Sequence, residues 1–366
     1  MNNTESKSFD NLAQRSLNYF LATYPPFIPV RSDAATAEEQ ETVYLFLKSI
    51  YEKAYNDPSL LKLKAIPDDS YSDWEFHKAK PELITEIRDN IKKVEQLIFL
   101  LFQICLSKQL DENSFFVPET DMEIKPSALK QLRNFDIQCQ ASGDGYTFTF
   151  PVKAAGLKLL AETSMQNRGN GIDIPKPHML FSRGVFDPNH PWTYEVFRNL
   201  SKEWNAFDRL ISFLDRNDYE RIDCSEGFSL NYVKNYGKKR EKLKAAWAER
   251  THGGIELVYE EARRNPVLLS LRIPYFKEIL EHSDKMDDKL KSFITGTTKK
   301  CDGCRYCVQT DKSGTRPLAA INVDDHDLCP LFCGFSYRWR TIDDDLVDNI
   351  IELLQFIDEA FRERCA

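Results

Sequence analysis

Five of the nine cysteines in this 366-residue chain lie between Cys301 and Cys333, in the run Cys301-Asp-Gly-Cys304-Arg-Tyr-Cys307 and its answer Cys329-Pro-Leu-Phe-Cys333. A Cys-x2-Cys step lets two sulfurs converge on one ion through a tight turn, and Gly303 suits the backbone that such a turn needs. A second thiolate group can then close the coordination shell. The spacing predicts a metal-binding module much more sharply than it predicts an activity.

Cys301, Cys304, Cys307, His326, Cys329 and Cys333 compete for a site that needs four donors. Pairing Cys301/Cys304 with Cys329/Cys333 gives the two knuckles of a zinc ribbon, with Thr315 to Val323 as one of its strands. Taking Cys301, Cys304, Cys307 and Cys329 gives a different set. Around these residues the sequence resembles the iron–sulfur ferredoxin motif, in which Cys-x-Gly-Cys-x-x-Cys supplies three ligands and a remote Cys-Pro, here Cys329-Pro330, supplies the fourth. That resemblance implies a 4Fe-4S cluster. It covers about thirty residues and departs from the motif after Cys307, where Gln309-Thr-Asp-Lys312 replaces the cysteine usual in ferredoxins. Polar, turn-rich surroundings suit a closed structural zinc site better than a cluster, which needs an apolar, hydrogen-bonding wrap. The expected site is therefore zinc on Cys301, Cys304, Cys307 and Cys329. Cys333 is left out because the triplet is already close-set and Cys329 carries the proline turn.

The apolar run from Leu97 to Cys105 contains Gln103 and falls short of the about twenty residues needed to span a membrane. Met1 to Asp10 have no apolar core, so no secretory signal is expected. Clustered cysteines without such a signal favour metal ligation in a reducing cytosol over disulfides, and a cytoplasmic protein is the expectation. The net charge of −8 argues against a uniformly basic nucleic-acid coat.

Along the chain, Pro25, Pro26 and Pro29 break any long helix in a mixed N-terminal stretch. Thr36 and Glu39 form a capping box for a helix whose face carries Val43, Phe46, Leu47, Ile50 and Ala54, stopping at Asp57-Pro58. From Pro81, Leu83, Ile87, Ile91, Val94, Ile98, Leu101 and Cys105 recur every three or four residues, which predicts a long helix buried late in its course. Ser127 to Leu132 reads as a short helix, followed by a β-hairpin around Ser142-Gly-Asp-Gly145. Helix then hairpin is the order of the second half of a winged helix. After Pro191, a helix is expected to carry Phe197, Leu200, Trp204, Phe207, Ile211 and Leu214 inward. Glu256 to Arg264 reads as helix, Val267 to Ile273 as strand and Tyr275 to His282 as helix. A final helix opens at Asp343-Asp-Asp345, where carboxylates suit the positive end of the helix dipole, and buries Leu346, Ile350, Leu353, Leu354, Ile357 and Phe361.

These elements predict a mainly α chain with a small β share (α+β): helical domains, one hairpin of winged-helix order, and a cysteine-rich module with a terminal helix. The expected domains are 1–165, helical with the hairpin; 166–295, central and helical; and 296–366, the metal module.

Cys105, on an apolar helix face, and Cys139, in an alternating strand, read as core residues. Lys234 to Arg250 concentrates positive charge around Tyr236 and Trp247, the pattern of phosphate neutralisation with base stacking. Its plainer reading is a solvated helix face. Asp187-Pro-Asn-His190-Pro-Trp192 sets an imidazole beside a carboxylate, which suits either a hydrolytic site or a proline-framed helix entry. The leading functional expectation is a zinc-binding cytosolic protein with a structural four-cysteine site and no assigned activity, for which Lys234–Arg250 is the candidate contact with nucleic acid. The alternative is an enzyme, redox through a cluster on the same cysteines or hydrolytic through His190.

Overall fold

The computed structural model describes residues 9–67, 81–121, 126–166, 177–187, 192–201, 203–224, 229–236, 252–260, 267–301, 320–330 and 337–365. The chain forms two compact units: Met1–Val196 with Cys224–Phe228 and Glu260–Pro266, and Phe197–Asp223 with Ser229–Tyr259 and Val267–Ala366.

The first unit is a helical core with an antiparallel sheet. Its first helix, α1 (Leu12–Ala22), lies where the sequence reads as mixed. Asn11 caps it by accepting the Gln14 amide at 3.0 Å, and the Gln14 side chain accepts the Asp10 amide at 3.0 Å. Leu12, Ala13, Arg15, Ser16, Leu17 and Phe20 are all buried, so contact runs round the helix and no one-sided stripe announces it. Helix α2 (Ala37–Asn56) opens with the expected capping box and buries the expected face.

Helix α3 (Pro81–Leu106) is uninterrupted, as its periodicity predicts. Among its buried apolar residues sits Asn90, fully buried, whose Oδ1 accepts the Lys64 amide at 2.9 Å while its Nδ2 donates to the Lys64 carbonyl at 3.1 Å. One side chain thus stands in for a strand partner and clamps an extended stretch against the helix.

Four strands follow the order β1–β2–β4–β3, all antiparallel: β1 (Lys108–Gln109), β2 (Ser114–Pro118), β3 (Gln138–Ser142) and β4 (Gly145–Thr149). Helix α4 (Pro126–Arg133) precedes β3. The expected hairpin exists, with Gly143 at φ +58° opening its two-residue loop. It is half of a four-stranded antiparallel sheet and not a lone hairpin on helices, with β2 on the other edge of β4 from Ser114↔Thr149 to Pro118↔Gly145 and β1 beyond it. Phe115 and Phe148 face each other there, both fully buried. The winged-helix expectation is overturned. Helices α5 (Ala154–Gln166) and α6 (Pro177–Ser182) complete the unit's described helical core.

The second unit overturns the small β share. Its five-stranded antiparallel sheet has the order β11–β8–β7–β6–β5, with β5 (Glu220–Cys224), β6 (Ser229–Asn235), β7 (His252–Tyr259), β8 (Val267–Arg272) and β11 (Tyr337–Trp339). Register aligns two apolar rows across four strands, Tyr232–Ile255–Leu271–Tyr337 and Leu230–Leu257–Leu269–Trp339, all buried but the half-buried Trp339. Glu256, expected in a helix, is therefore mid-strand; Ile255 and Leu257 alternate with it, and that period-two signal was masked by the neighbouring charges. Residues 261–264 of that expected helix lie outside the described residues.

The helix expected after Pro191 is two helices, α7 (Trp192–Leu200) and α8 (Trp204–Arg216). Trp204, expected inside, is 51% exposed. It lies under the Arg198 guanidinium, 5.0 Å from its ring centroid, and Arg198 also makes a forked bond to Asp208 at 2.8 and 2.9 Å. Helices α9 (Phe276–Glu281) and α10 (Asp288–Thr297) follow β8. The last helix, α11 (Asp344–Cys365), opens at Asp343, which accepts the Leu346 amide at 2.9 Å, and buries the predicted stripe. Among the described residues no helix is long and apolar enough to cross a membrane.

Replacing Asn90 with alanine removes the partner of both the Lys64 amide and the Lys64 carbonyl, two part-buried hydrogen bonds, from a fully buried position on the helix. Urea unfolding is expected to show a loss of about 2–3 kcal/mol, more than an exposed Asn→Ala change such as Asn134→Ala.

Candidate metal centre

The segment bearing the candidate ligands begins where α10 ends. Asp287 caps α10 by accepting the Leu290 amide at 2.8 Å, and the helix closes with the Thr298 amide donating to the Ile294 carbonyl at 2.8 Å. Lys299 to Cys301 then run extended beside a short hairpin made of β9 (Ile321–Val323) and β10 (His326–Leu328). Its two loop residues, Asp324 and Asp325, both have positive φ, 45° and 64°, the backbone that a tight primed turn demands. Aspartate tolerates this region better than most side chains.

Lys300 and Leu328 lie directly opposite in an antiparallel bridge. On either side of it, the Cys301 amide donates to the Asp327 carbonyl at 2.8 Å and the Cys329 amide donates to the Lys299 carbonyl at 3.0 Å. Alternation along paired strands then places Cys301, Asp327, Lys299 and Cys329 on one face. Cys301 and Cys329 are diagonal neighbours, a relation that sets Cα atoms about 7–8 Å apart. Two thiolates with bonds of about 2.3 Å to a common ion fit that spacing. Cys301 is half-buried and Cys329 buried.

The same alternation turns His326 to the other face, with Leu328, which is fully buried. A carbonyl can only accept, so the 2.7 Å contact between His326 Nδ1 and the Asp324 carbonyl fixes the proton on Nδ1. That bond leaves Nε2 as the ring's acceptor; it is the strand alternation that turns His326 away from the face of Cys301 and Cys329. Asp327, which sequence reasoning passed over, shares the cysteine face and accepts a hydrogen bond from Asn322 Nδ2 at 3.1 Å. The signal for it was present: an Asp-Asp pair between two short alternating runs is a two-residue hairpin turn, and the turn fixes the register.

Cys304, Cys307 and Cys333 lie outside the described residues, as does most of the expected ribbon strand from Thr315. Among the described residues no group of three or more His, Cys, Asp or Glu side chains is gathered to hold a metal. What is brought together is the pair Cys301 and Cys329, the two ends of the expected set. The base of the segment is held a second time, since the Thr298 hydroxyl and the Tyr337 hydroxyl hydrogen-bond although 39 positions apart in sequence. Both residues are buried, and burial pushes the Tyr337 phenol above its ordinary pKa, so it stays protonated.

The other candidates are placed as follows. Cys105 is fully buried on α3, where desolvation raises its thiol pKa well above the usual range despite nearby Lys158; Cys139 is half-buried in β3 and shifted the same way. Burial disfavours the thiolate form at both positions. His190 lies outside the described residues, as do Gly237 to Arg250 of the basic stretch. Of the described part of that stretch, Lys234 and Tyr236 are turned inward and Asn235 is exposed. Tyr236 is fully buried, its hydroxyl donating to Asp358 Oδ1 at 2.7 Å and lying 2.5 Å from the Tyr219 hydroxyl. Lys234 pairs with Asp358 at 3.0 Å and donates to the Asn217 carbonyl at 2.9 Å. Tyr236 therefore offers no stacking surface to a base, contrary to the sequence expectation, and burial followed by the neighbouring Tyr219 holds its phenol neutral.

Comparison with models of known protein families, with curated proteins and with solved structures finds no match.

A double-mutant cycle tests the closure of the segment's base. Tyr337→Phe and Thr298→Val are each expected to cost about 1 kcal/mol in denaturant unfolding, and the double variant little more than either alone, a coupling of about 1 kcal/mol.

Proposed function

We propose that Cys301, Cys304, Cys307 and Cys329 hold one zinc ion, and that the chain is a zinc-stabilised binding protein of the cytosol. The observation that supports this reading is the antiparallel bridge between Lys300 and Leu328, which sets the first and last of these cysteines on one face as diagonal neighbours. A Cys-x2-Cys-x2-Cys run beginning at Cys301 can supply the remaining two thiolates from the same side of the ion. Asp327 on that face accepts hydrogen bonds and carries charge, a surrounding that suits a hydrated structural zinc site rather than a cluster wrapped in apolar groups.

In this reading the ion is structural. All four places are filled by thiolates, so no position remains open for a bound water or substrate. Its free energy of binding is free energy of folding for a stretch with little apolar content, and it would give that stretch one shape for recognition.

Protein purified without added metal is expected to be colourless and to carry one zinc per chain by elemental analysis. Cys301→Ser and Cys329→Ser should each lower zinc affinity at least about tenfold, whereas Cys105→Ser and Cys139→Ser leave the content unchanged. Brown protein containing iron and sulfide would assign the same cysteines to a cluster instead. Metal-free protein with native stability would end the proposal.

A further inference from the structure

Among the described residues the two larger sheets have four edges, and three of them are ill suited to a further strand. β1 has two residues, one of them Lys108; β11 has three, centred on Arg338; β5 carries Glu220, Arg221 and Asp223. Short edge strands and charges along an edge keep sheets from pairing with other chains. β3 has neither protection. Its five residues, Gln138-Cys-Gln-Ala-Ser142, include no charge and no proline, and all but the half-buried Cys139 are exposed.

The hairpin register determines which backbone groups that edge presents. A two-residue loop makes its closing pair, Ser142↔Gly145, a hydrogen-bonded one, so Ser142, Gln140 and Gln138 direct their N–H and C=O groups to β4. Pro118 agrees with this phase. It lies opposite Gly145 on the other side of β4, where a residue without an N–H fits a non-hydrogen-bonded pair. Cys139 and Ala141 therefore point their N–H and C=O groups outward, and among the described residues no backbone partner meets them. The side chains of Gln138, Gln140 and Ser142 share one exposed face, while Cys139, opposite the buried Phe148, lies on the other.

Backbone groups in this arrangement are complementary to an extended strand. We propose that the strand is β3 of a second copy of this chain, paired antiparallel about a two-fold axis at Gln140. Cys139 of each copy then exchanges both N–H···O bonds with Ala141 of the other. A two-fold contact sets the residue on the axis against itself, so a charge there would repel its own copy. Gln140 instead meets Gln140, and an amide both donates and accepts. Gln138 meets Ser142, again without charge. Just before the strand, Asp136 is paired with Lys53 at 2.8 Å. A neutral row of amides and a hydroxyl has nothing with which to select an acidic or a basic peptide, but it matches itself. Pairing would join two four-stranded sheets into one continuous sheet, independently of the cysteine segment.

Sedimentation velocity of the full chain, from about 1 to about 100 µM, is expected to show a monomer–dimer equilibrium. Gln140→Lys and Gln140→Glu each set like charges face to face across the axis and should weaken the dimer at least about tenfold. An equimolar mixture of the two variants should associate at least as tightly as the unaltered protein, since the opposed charges then attract. The exposed Gln140 side chain makes both substitutions compatible with the monomer's fold. A monomer at every concentration, a dimer indifferent to both substitutions, or variants that mixing does not restore would each overturn the proposal.

Discussion

The chain that leaves α10 at Thr298 and returns at Tyr337 has to be closed at its base before β11 can take its place beside β8. Closing a loop of this length costs about 3 kcal/mol of chain entropy plus a constant. Three hydrogen bonds are seen at the base: Thr298 to Tyr337, Cys301 to Asp327 and Cys329 to Lys299. At about 1 kcal/mol each they roughly offset the closure and leave no margin. Zinc on four thiolates is worth about 10–16 kcal/mol in small modules. By magnitude, the metal is the contribution that would decide whether the segment is folded.

What depends on that closure is a sheet whose interior is already demanding. Every residue of β8 from Val267 to Leu271 is buried, so the strand needs neighbours on both edges and cover on both faces. One edge is met by β7, and the other by Tyr337 to Trp339, which continue the two apolar rows. Tyr337 serves both purposes, with its ring in a row of the sheet and its hydroxyl on Thr298. The cysteine segment and the sheet are thus joined through one residue.

The parts of this fold that could be read from the sequence are those with a one-sided pattern. The stripes of α2, α3 and α11 and the Thr36/Glu39 cap were legible because each repeats a helical period or a local hydrogen-bonding geometry. Helix α1 was not, since burial on nearly all sides erases the stripe, and Arg15 and Ser16 look polar while lying inside. Strands β6 and β7 were hidden by Lys234, His252 and Glu256, whose charges drew attention from the alternation beneath them. For the site, spacing named Cys301 and Cys329, but only the register of Lys300 with Leu328 shows that they share a face and that His326 does not. Register is set by pairing between distant stretches, so no local pattern carries it. The burial of Tyr236 on Asp358 is likewise a long-range fact, 122 positions apart, and it removes one of the two aromatic groups on which the nucleic-acid reading leaned, the other, Trp247, lying outside the described residues.

The zinc-edge X-ray absorption spectrum of the protein, purified without added metal, bears most directly on the central claim. Four sulfur scatterers at about 2.3 Å, with no nitrogen or oxygen shell, are predicted, and the spectrum of Cys329→Ser should lose one of them. A shell containing imidazole nitrogen would contradict the placement of His326 on the opposite face, and a sample without zinc would contradict the account as a whole.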